Sequence, residues 1–277
     1  MNTPDPAAPI GVFDSGIGGL SILRALRSEL PGEHFIYLAD SGHAPYGERG
    51  DAYVIERSRK AAAYLRGQHR IKALVVACNT ATAAAIHLLR AEQKGLPIVG
   101  VEPAIKPAAL LSQTRRIAVL ATRGTLASGK FQALLATLAG QAEFVCQPCD
   151  GLADAIEQSI GTEDATKIEA LCASYTLATG QFGIKKGQID TLVLGCTHYP
   201  FASDLLQRLV GPEVTLVETG APVARQTRSL LEADQLMRPA ATQVGSVMLL
   251  TTGPAAALSA AAQRWLQLHG EATALAL

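Results

Sequence analysis

Short β-rich apolar runs alternate along this chain with stretches whose apolar residues recur at helical spacing, and that alternation predicts a parallel α/β fold. Ile10–Phe13 reads as a strand, and Leu20, Leu23, Leu26 and Leu30 follow it at helical spacing. His34–Ala39, Ala73–Ala77, Pro97–Val101, Ile117–Ala121, Asp190–Gly195, Leu216–Glu218 and Val247–Leu250 read as further strands, and Val145 as the end of another. An Ala-rich helix is expected through Leu89, and a second over Ile168–Leu177 that would bury Cys172. Two segments echo each other: Ala73-Leu-Val-Val-Ala-Cys-Asn-Thr80 and Thr191-Leu-Val-Leu-Gly-Cys-Thr-His198. In each, a buried strand ends in a small residue, then Cys, then polar residues. Ile10–Ser15 and Ile117–Thr122 likewise each open a strand-to-helix unit, and two similar α/β halves explain both pairs. Pro103 and Pro107 place the first crossover near 101–106, and the return is expected near 214–220. The first domain is therefore predicted to be discontinuous, 1–101 plus 217–277, around a second domain over 102–216.

Composition removes several function classes. With 277 residues and 48% apolar content the chain can bury a sizeable core. Lys plus Arg is 24 and Asp plus Glu is 24, so no global field exists to hold a polyanion, which argues against nucleic acid as a partner. No apolar run reaches the roughly 18 residues needed to span a membrane, and Met1–Pro9 carries neither a basic nor an apolar leader segment. A cytoplasmic protein is expected. Its cysteines, at 78, 146, 149, 172 and 196, are too few and too scattered for a disulfide framework.

Ligands of open α/β sheets sit beyond the carboxyl ends of the strands, and four polar clusters fall there: Asp14–Gly19, Ala44–Gly47, Cys78–Thr80 and Cys196–Pro200. Asp14-Ser-Gly-Ile-Gly-Gly19 is a glycine-rich turn feeding a helix, suited to a carboxylate or phosphate. It lacks the spacing of a dinucleotide fingerprint and the lysine of a P-loop, and an ordinary capped turn is the plainer alternative. Cys78 and Cys196, each taken alone, read as small buried thiols. Taken together, in matching surroundings, they suit a pair of acid/base groups on opposite faces of one small ligand. Half-ionising a thiol at pH 7 from its ordinary pKa near 8.5 requires about 2 kcal/mol. A helix N-terminus supplies at most about that much. His198, two residues after Cys196, would share its face on extended backbone, and Asp14 could serve Cys78 if their strands are adjacent. Cys146-Gln-Pro-Cys149 supports a rival: a redox pair, or half a zinc site completed by Cys196 and His198, although the second pair such a site expects is missing.

The blocks Phe13-Asp-Ser-Gly-Ile-Gly-Gly19, Tyr37-Leu-Ala-Asp40, Pro45-Tyr-Gly47, Ala77-Cys-Asn-Thr-Ala81, Gly100-Val-Glu-Pro-Ala104 and Gly195-Cys-Thr-His-Tyr-Pro200, in this order, resemble the glutamate racemases of the aspartate/glutamate racemase superfamily. The resemblance implies two pseudo-symmetric α/β domains with the active site in the cleft between them. It implies a cofactor-independent two-base racemisation of glutamate, with no metal, that supplies D-glutamate for bacterial peptidoglycan. Cys78 and Cys196 would be the catalytic acid/base pair, and Asp14 and His198 their proton partners. Substrate would be held by Asp14, Ser15, Tyr46, Gly47, Asn79, Thr80, Thr197 and His198. Asp40 and Glu157 match supporting carboxylates, while Thr122 and Thr125 are weaker matches because Ala121 stands where many members have Gly. The family's habit is to dimerise, and no interface signature is legible here. No Lys lies in the four clusters, so nothing in them points to a Schiff-base cofactor.

Three alternatives stay open at this point. An aspartate racemase shares the first Cys block, but usually carries an acidic residue where His198 stands. A two-domain amino-acid-binding protein would leave both thiols idle. A zinc or redox protein would use Cys146 and Cys149. The Ala-rich tail after Met237, which holds Trp265, is expected to dock as a helix.

Overall fold

The computed structural model describes residues 5–160, 165–239 and 244–277. The first residues of the Met1–Pro9 segment and part of the tail after Met237 lie outside that set. The chain divides into two compact units, Met1–Val101 with Gly220–Leu277, and Glu102–Thr219.

The first unit opens with β1 (Ile10–Asp14), α1 (Leu20–Glu29), β2 (Phe35–Ala39), α2 (Asp51–His69), β3 (Ala73–Val76), α3 (Asn79–Glu92) and β4 (Ile98–Gly100). The second unit follows with α4 (Ile105–Leu111), β5 (Arg116–Ala121), α5 (Arg123–Ala127), α6 (Gly129–Ala136), β6 (Glu143–Pro148), α7 (Leu152–Gln158), α8 (Thr166–Thr179), β7 (Thr191–Leu194), α9 (Ser203–Val210) and β8 (Thr215–Val217). The chain then returns to the first unit through α10 (Gly220–Ala233), β9 (Val247–Thr251), α11 (Ala255–Leu266) and β10 (Thr273–Ala274).

All ladders within the two sheets are parallel. The first sheet runs β10-β9-β2-β1-β3-β4 and the second β6-β5-β7-β8. Setting aside the β9 and β10 additions, both sheets use their first four strands in the spatial order second, first, third, fourth. Strands β1, β2 and β3 are buried from end to end, as parallel strands covered on both faces must be. Their side chains pack under α2 and α3 in a cluster that includes Phe13, Leu38, Val54, Leu65, Leu74, Val76 and Ile86. In the second unit Ile117, Val119, Phe131, Val193 and Val217 form the corresponding core, under Ile105 and Ala108 of α4.

The sequence reading leaves helices α2, α4, α7, α9 and α10 unassigned, ends β6 early and misses β10. Helix α2 was not anticipated, because Arg57 and Ser58 sit among its buried residues and blur the apolar stripe. Strand β6 continues past Val145 to Pro148, which an edge strand tolerates. The two-residue β10 is too short to leave a periodic signal. Helix α11 buries Leu258, Ala261, Ala262 and Leu266, as the docking expectation for the tail requires. No helix among the described residues is long and apolar enough to cross a membrane.

Candidate active site

A parallel sheet makes a crevice where neighbouring strands send their connections in opposite directions. In the first unit that point lies between β1 and β3, which pair directly, with β2 on one side and β4 on the other. Asp14 closes β1, and Cys78 follows β3 after Ala77, whose N–H donates to the Phe13 carbonyl at 2.7 Å. The strands of Asp14 and Cys78 are therefore adjacent, the condition set for a working pair. Asp14 is fully buried, and its Oδ2 accepts the Gly19 N–H at 2.6 Å at the start of α1. Gly19 is required there. A Cβ would fall 2.6 Å from the Asp14 Cβ and 3.0 Å from the Tyr37 hydroxyl, which donates to the Gly16 carbonyl at 2.7 Å.

Cys78 caps α3, its Sγ accepting the Ala81 N–H at 3.4 Å, and Ser15 Oγ lies 3.5 Å from the same sulfur. Free helix-start amides stabilise negative charge on a capping thiol. Asn79, next to it, is 4% exposed, and neither its Nδ2 nor its Oδ1 has a hydrogen-bond partner. A native protein rarely leaves a buried amide unpaired, so this group points to a polar ligand that completes it. Thr80 is buried alongside.

Tyr46, 1% exposed, shares the Cys78 core cluster and packs against Phe13 with ring centroids 6.4 Å apart. Its hydroxyl donates to Asp40 Oδ2 at 2.5 Å. Burial raises the phenol's pKa, and the Asp40 charge raises it further. Gly47 follows on the same loop. Arg57 Nε and Nη2 grip the two oxygens of Asp40 at 2.8 Å each, and Thr252 Oγ1 donates to it at 2.8 Å. Burial alone would raise the Asp40 pKa, but the hydrogen bonds from Arg57, Tyr46 and Thr252 outweigh it and hold the carboxyl below its ordinary range.

The second unit has the same switch point between β5 and β7. Thr122 follows β5 and caps α5, accepting the Thr125 N–H at 3.2 Å, while its hydroxyl meets Thr125 Oγ1 at 2.9 Å. Cys196 follows β7 after Gly195, where a Cβ would fall 2.8 Å from the Leu120 carbonyl oxygen. That close approach requires glycine and brings Cys196 against the end of β5. Cys196 Sγ lies 3.7 Å from His198 Nδ1, and His198 Nε2 lies 2.8 Å from Glu157 Oε2 on α7. Burial alone would lower the His198 pKa. The hydrogen bonds to Cys196 and Glu157 win, and hold the imidazole well above its ordinary range. A thiol, an imidazole and a carboxylate thus lie in one hydrogen-bonded line, with Cys196, Thr197 and His198 all buried. The carboxylate orients the imidazole, and the imidazole presents its other ring nitrogen to the sulfur.

A match to the Asp/Glu/Hydantoin racemase family model covers residues 10–227. A curated glutamate racemase of Cupriavidus pinatubonensis is 47% identical over 271 residues, 98% of this chain and 96% of that protein. The chain belongs to the Asp/Glu/hydantoin racemase family, and within it to the glutamate racemases. Among solved structures, a glutamate racemase of Bacillus anthracis superposes with a TM-score of 0.84 at 29% identity, covering 98% of each chain. The Escherichia coli glutamate racemase, solved with L-glutamate and the activator UDP-MurNAc-Ala, gives 0.79 at 32% identity, covering 93% of this chain and 95% of that one.

Within this racemase the remaining cysteines separate from the site residues. Cys146 lies inside β6 against the second core, and burial raises its pKa. Cys149 is buried after β6, its thiol donating to the Gln147 carbonyl at 3.4 Å, and burial pushes its pKa far up. Thiols held protonated are poor redox nucleophiles. Among the described residues no three His, Cys, Asp or Glu side chains gather in a metal-binding arrangement. Cys172 sits fully buried in α8, as expected, with its pKa pushed up to about 11. Arg57 and Thr252 were missed by sequence reasoning altogether, since their relation to Asp40 spans 17 and 212 residues.

Proposed function

We propose that this racemase interconverts L- and D-glutamate without a cofactor, using Cys78 and Cys196 as acid/base partners at the same α-carbon. The observation that carries this reading is topological. Each sheet places one buried cysteine just past its third strand, at its own switch point, beside a different device for holding a thiolate. One thiolate removes the α-proton from one face, and the other cysteine, as a thiol, delivers its proton to the opposite face. Turnover leaves the two protonation states exchanged, which is the form that acts on the other enantiomer. Asp14 and His198 carry protons to and from the sulfurs.

Glutamate brings two carboxylates and one ammonium. Helix-start amides near Ser15 and Asn79, the unpaired Asn79 amide and the hydroxyls of Thr80 and Thr197 match those groups without large net charge. Tyr46 and Gly47 complete the substrate wall in the first unit, and Thr122 and Thr125 contribute in the second. The α-proton is a weak acid, so donors fixed before substrate arrives must stabilise the carbanion-like transition state. The names and ligand of the relatives support glutamate as substrate. D-glutamate for peptidoglycan made in the cytoplasm is the corresponding physiological role, and a homodimer is the family's habit.

The test is the decay of optical activity of L-glutamate by the purified, reduced chain, with chelator present and L-aspartate run in parallel. Decay to the racemate with glutamate alone is expected. Decay with aspartate instead would transfer the reading to aspartate racemisation, and none with either would return it to a binding protein.

A further inference from the structure

The Asp40 carboxylate is surrounded by donors on every side, and its strongest partner is a side chain that no racemisation step uses. Arg57, with its side chain 5% exposed, spends Nε and Nη2 on the two Asp40 oxygens. Such a bidentate fork fixes the plane of the carboxylate as well as its charge. Asp40 Oδ2 then receives the Tyr46 hydroxyl, and Oδ1 receives Thr252 and His43 Nδ1, at 2.8 and 3.0 Å. Gly42 N–H reaches Thr252 Oγ1 at 3.1 Å, and the Tyr53 hydroxyl donates to the His43 carbonyl at 3.1 Å. The loop 41–47 is therefore tied to Asp40 and α2 along its length. The Tyr46 hydroxyl is committed to Asp40, so its position follows that of the carboxylate.

Arg57 has one more donor, Nη1, and it goes to the backbone oxygen of Leu277 at 3.0 Å. The segment that delivers this oxygen is anchored separately. Strand β10 pairs with β9, Leu275 N–H donates to the Thr251 carbonyl at 2.8 Å, and Leu275 and Leu277 pack on the core cluster that holds Tyr46 and Cys78. All three donor groups of the guanidinium thus have fixed acceptors, and its orientation depends on residues 273–277.

We propose that Arg57 is a positioning residue for the substrate-binding loop 41–47, acting through Asp40 and Tyr46 and oriented by the strap 273–277. The functional half of this inference rests on the reading of Tyr46 as a substrate contact. The loop half does not.

Four chains test it: Arg57→Ala, Arg57→Lys, a chain ending at Ala274, and Arg59→Ala, whose exposed side chain pairs with Glu92 and serves as control. Two readouts are needed, amide hydrogen exchange over residues 41–47 in the free protein, and kcat and KM for L-glutamate. Loss of the Arg57 fork is expected to speed loop exchange and to raise KM, each about tenfold, with kcat changed less than about threefold, since binding is lost more than chemistry. The shortened chain is expected to show about a threefold effect, and Arg57→Lys to recover part of the loss, because a point charge satisfies Asp40 without fixing its plane. Arg59→Ala should match the parent. If Arg57→Ala fails to fold, Arg57→Lys and the shortened chain decide. Unchanged exchange over 41–47 in the folded variants overturns the proposal. Faster exchange with unchanged KM overturns its functional half, and with it the role given to Tyr46. A parent chain inert toward glutamate defeats the proposed reaction, while the exchange data still decide for or against Arg57.

Discussion

The two cysteines occupy equivalent places in two sheets of equal strand order, yet the chain supports them by unrelated means. Cys78 leans on backbone: its sulfur accepts an amide at the start of a 14-residue helix, beside a serine hydroxyl. Cys196 leads instead into a 3₁₀ turn over Tyr199–Ala202, and its sulfur faces an imidazole backed by a carboxylate. A helix terminus offers fixed partial charges that no pH change in the neutral range can remove. An imidazole offers a whole charge that titrates. The topology decides where each thiol stands, and local sequence decides what surrounds its sulfur.

The largest effects should ignore this difference. Cys78→Ala and Cys196→Ala are each expected to lower kcat for racemisation by about 10³-fold or more, the scale of removing a positioned acid or base. The double variant should fall little further, because groups acting as a unit lose their joint effect once. The proposed mechanism requires both halves to invert the centre, so near-normal racemisation by either folded single variant would falsify the two-thiol assignment.

The next effect should separate the halves. His198→Asn and Glu157→Gln are expected to lower kcat/KM by about 10- to 100-fold. Because L- and D-glutamate have equal free energies, the fall in kcat/KM must be the same in both directions, whichever enantiomer uses Cys196 as base. The pH profile carries the sharper signal. His198 is held protonated above its ordinary range by Cys196 and Glu157, so activity that needs the imidazolium is retained at low and neutral pH and lost as pH rises through its raised value. Glu157→Gln should move that alkaline limb toward lower pH, and His198→Asn should abolish it. The stability link has the same sign. The His198–Glu157 pair contributes fully below the ordinary imidazole range and fades as pH rises through the folded-state value. A limb that stays in place in Glu157→Gln would mean that it belongs to another group.

The same contrast explains how far the sequence could be read. The Cys78 side is local: Asp14, Ser15, Cys78 and Asn79 lie on two strand ends, each followed by glycines or a helix start, and each is legible as a short motif. Cys196 and His198 are legible for the same reason, being two residues apart. Glu157 lies 41 residues from His198, and a lone glutamate on a short helix carries no pattern of its own. It entered only through family resemblance, without its partner. Asp40 came the same way, and its partners Arg57, Tyr46 and Thr252 could not be read from the sequence. Arg57 was hidden because a buried arginine inside a helix looks, in sequence, like any solvated charge.

The smallest effect closes off the rival reading of the second unit. Cys146 and Cys149 bracket Gln-Pro at the end of β6, and a redox pair or zinc half-site would make both indispensable. Their surroundings say otherwise. Cys146 lies inside β6 and Cys149 beyond its end, and burial holds both thiols protonated. Cys146→Ala should therefore leave kcat and KM within about twofold, and cost about 1 kcal/mol or less of stability for a partly buried sulfur. Cys149→Ala should also keep its chemistry but cost more stability, since Cys149 lies buried under the Tyr199 hydroxyl, which donates to its carbonyl at 3.4 Å beneath the Cys196 turn. Thermal melts and steady-state rates of the two variants, with and without chelator, make the comparison. A loss of activity in Cys146→Ala as large as that in Cys196→Ala would restore the pair as chemistry, and equal, small effects on rate would leave the second unit with one working thiol.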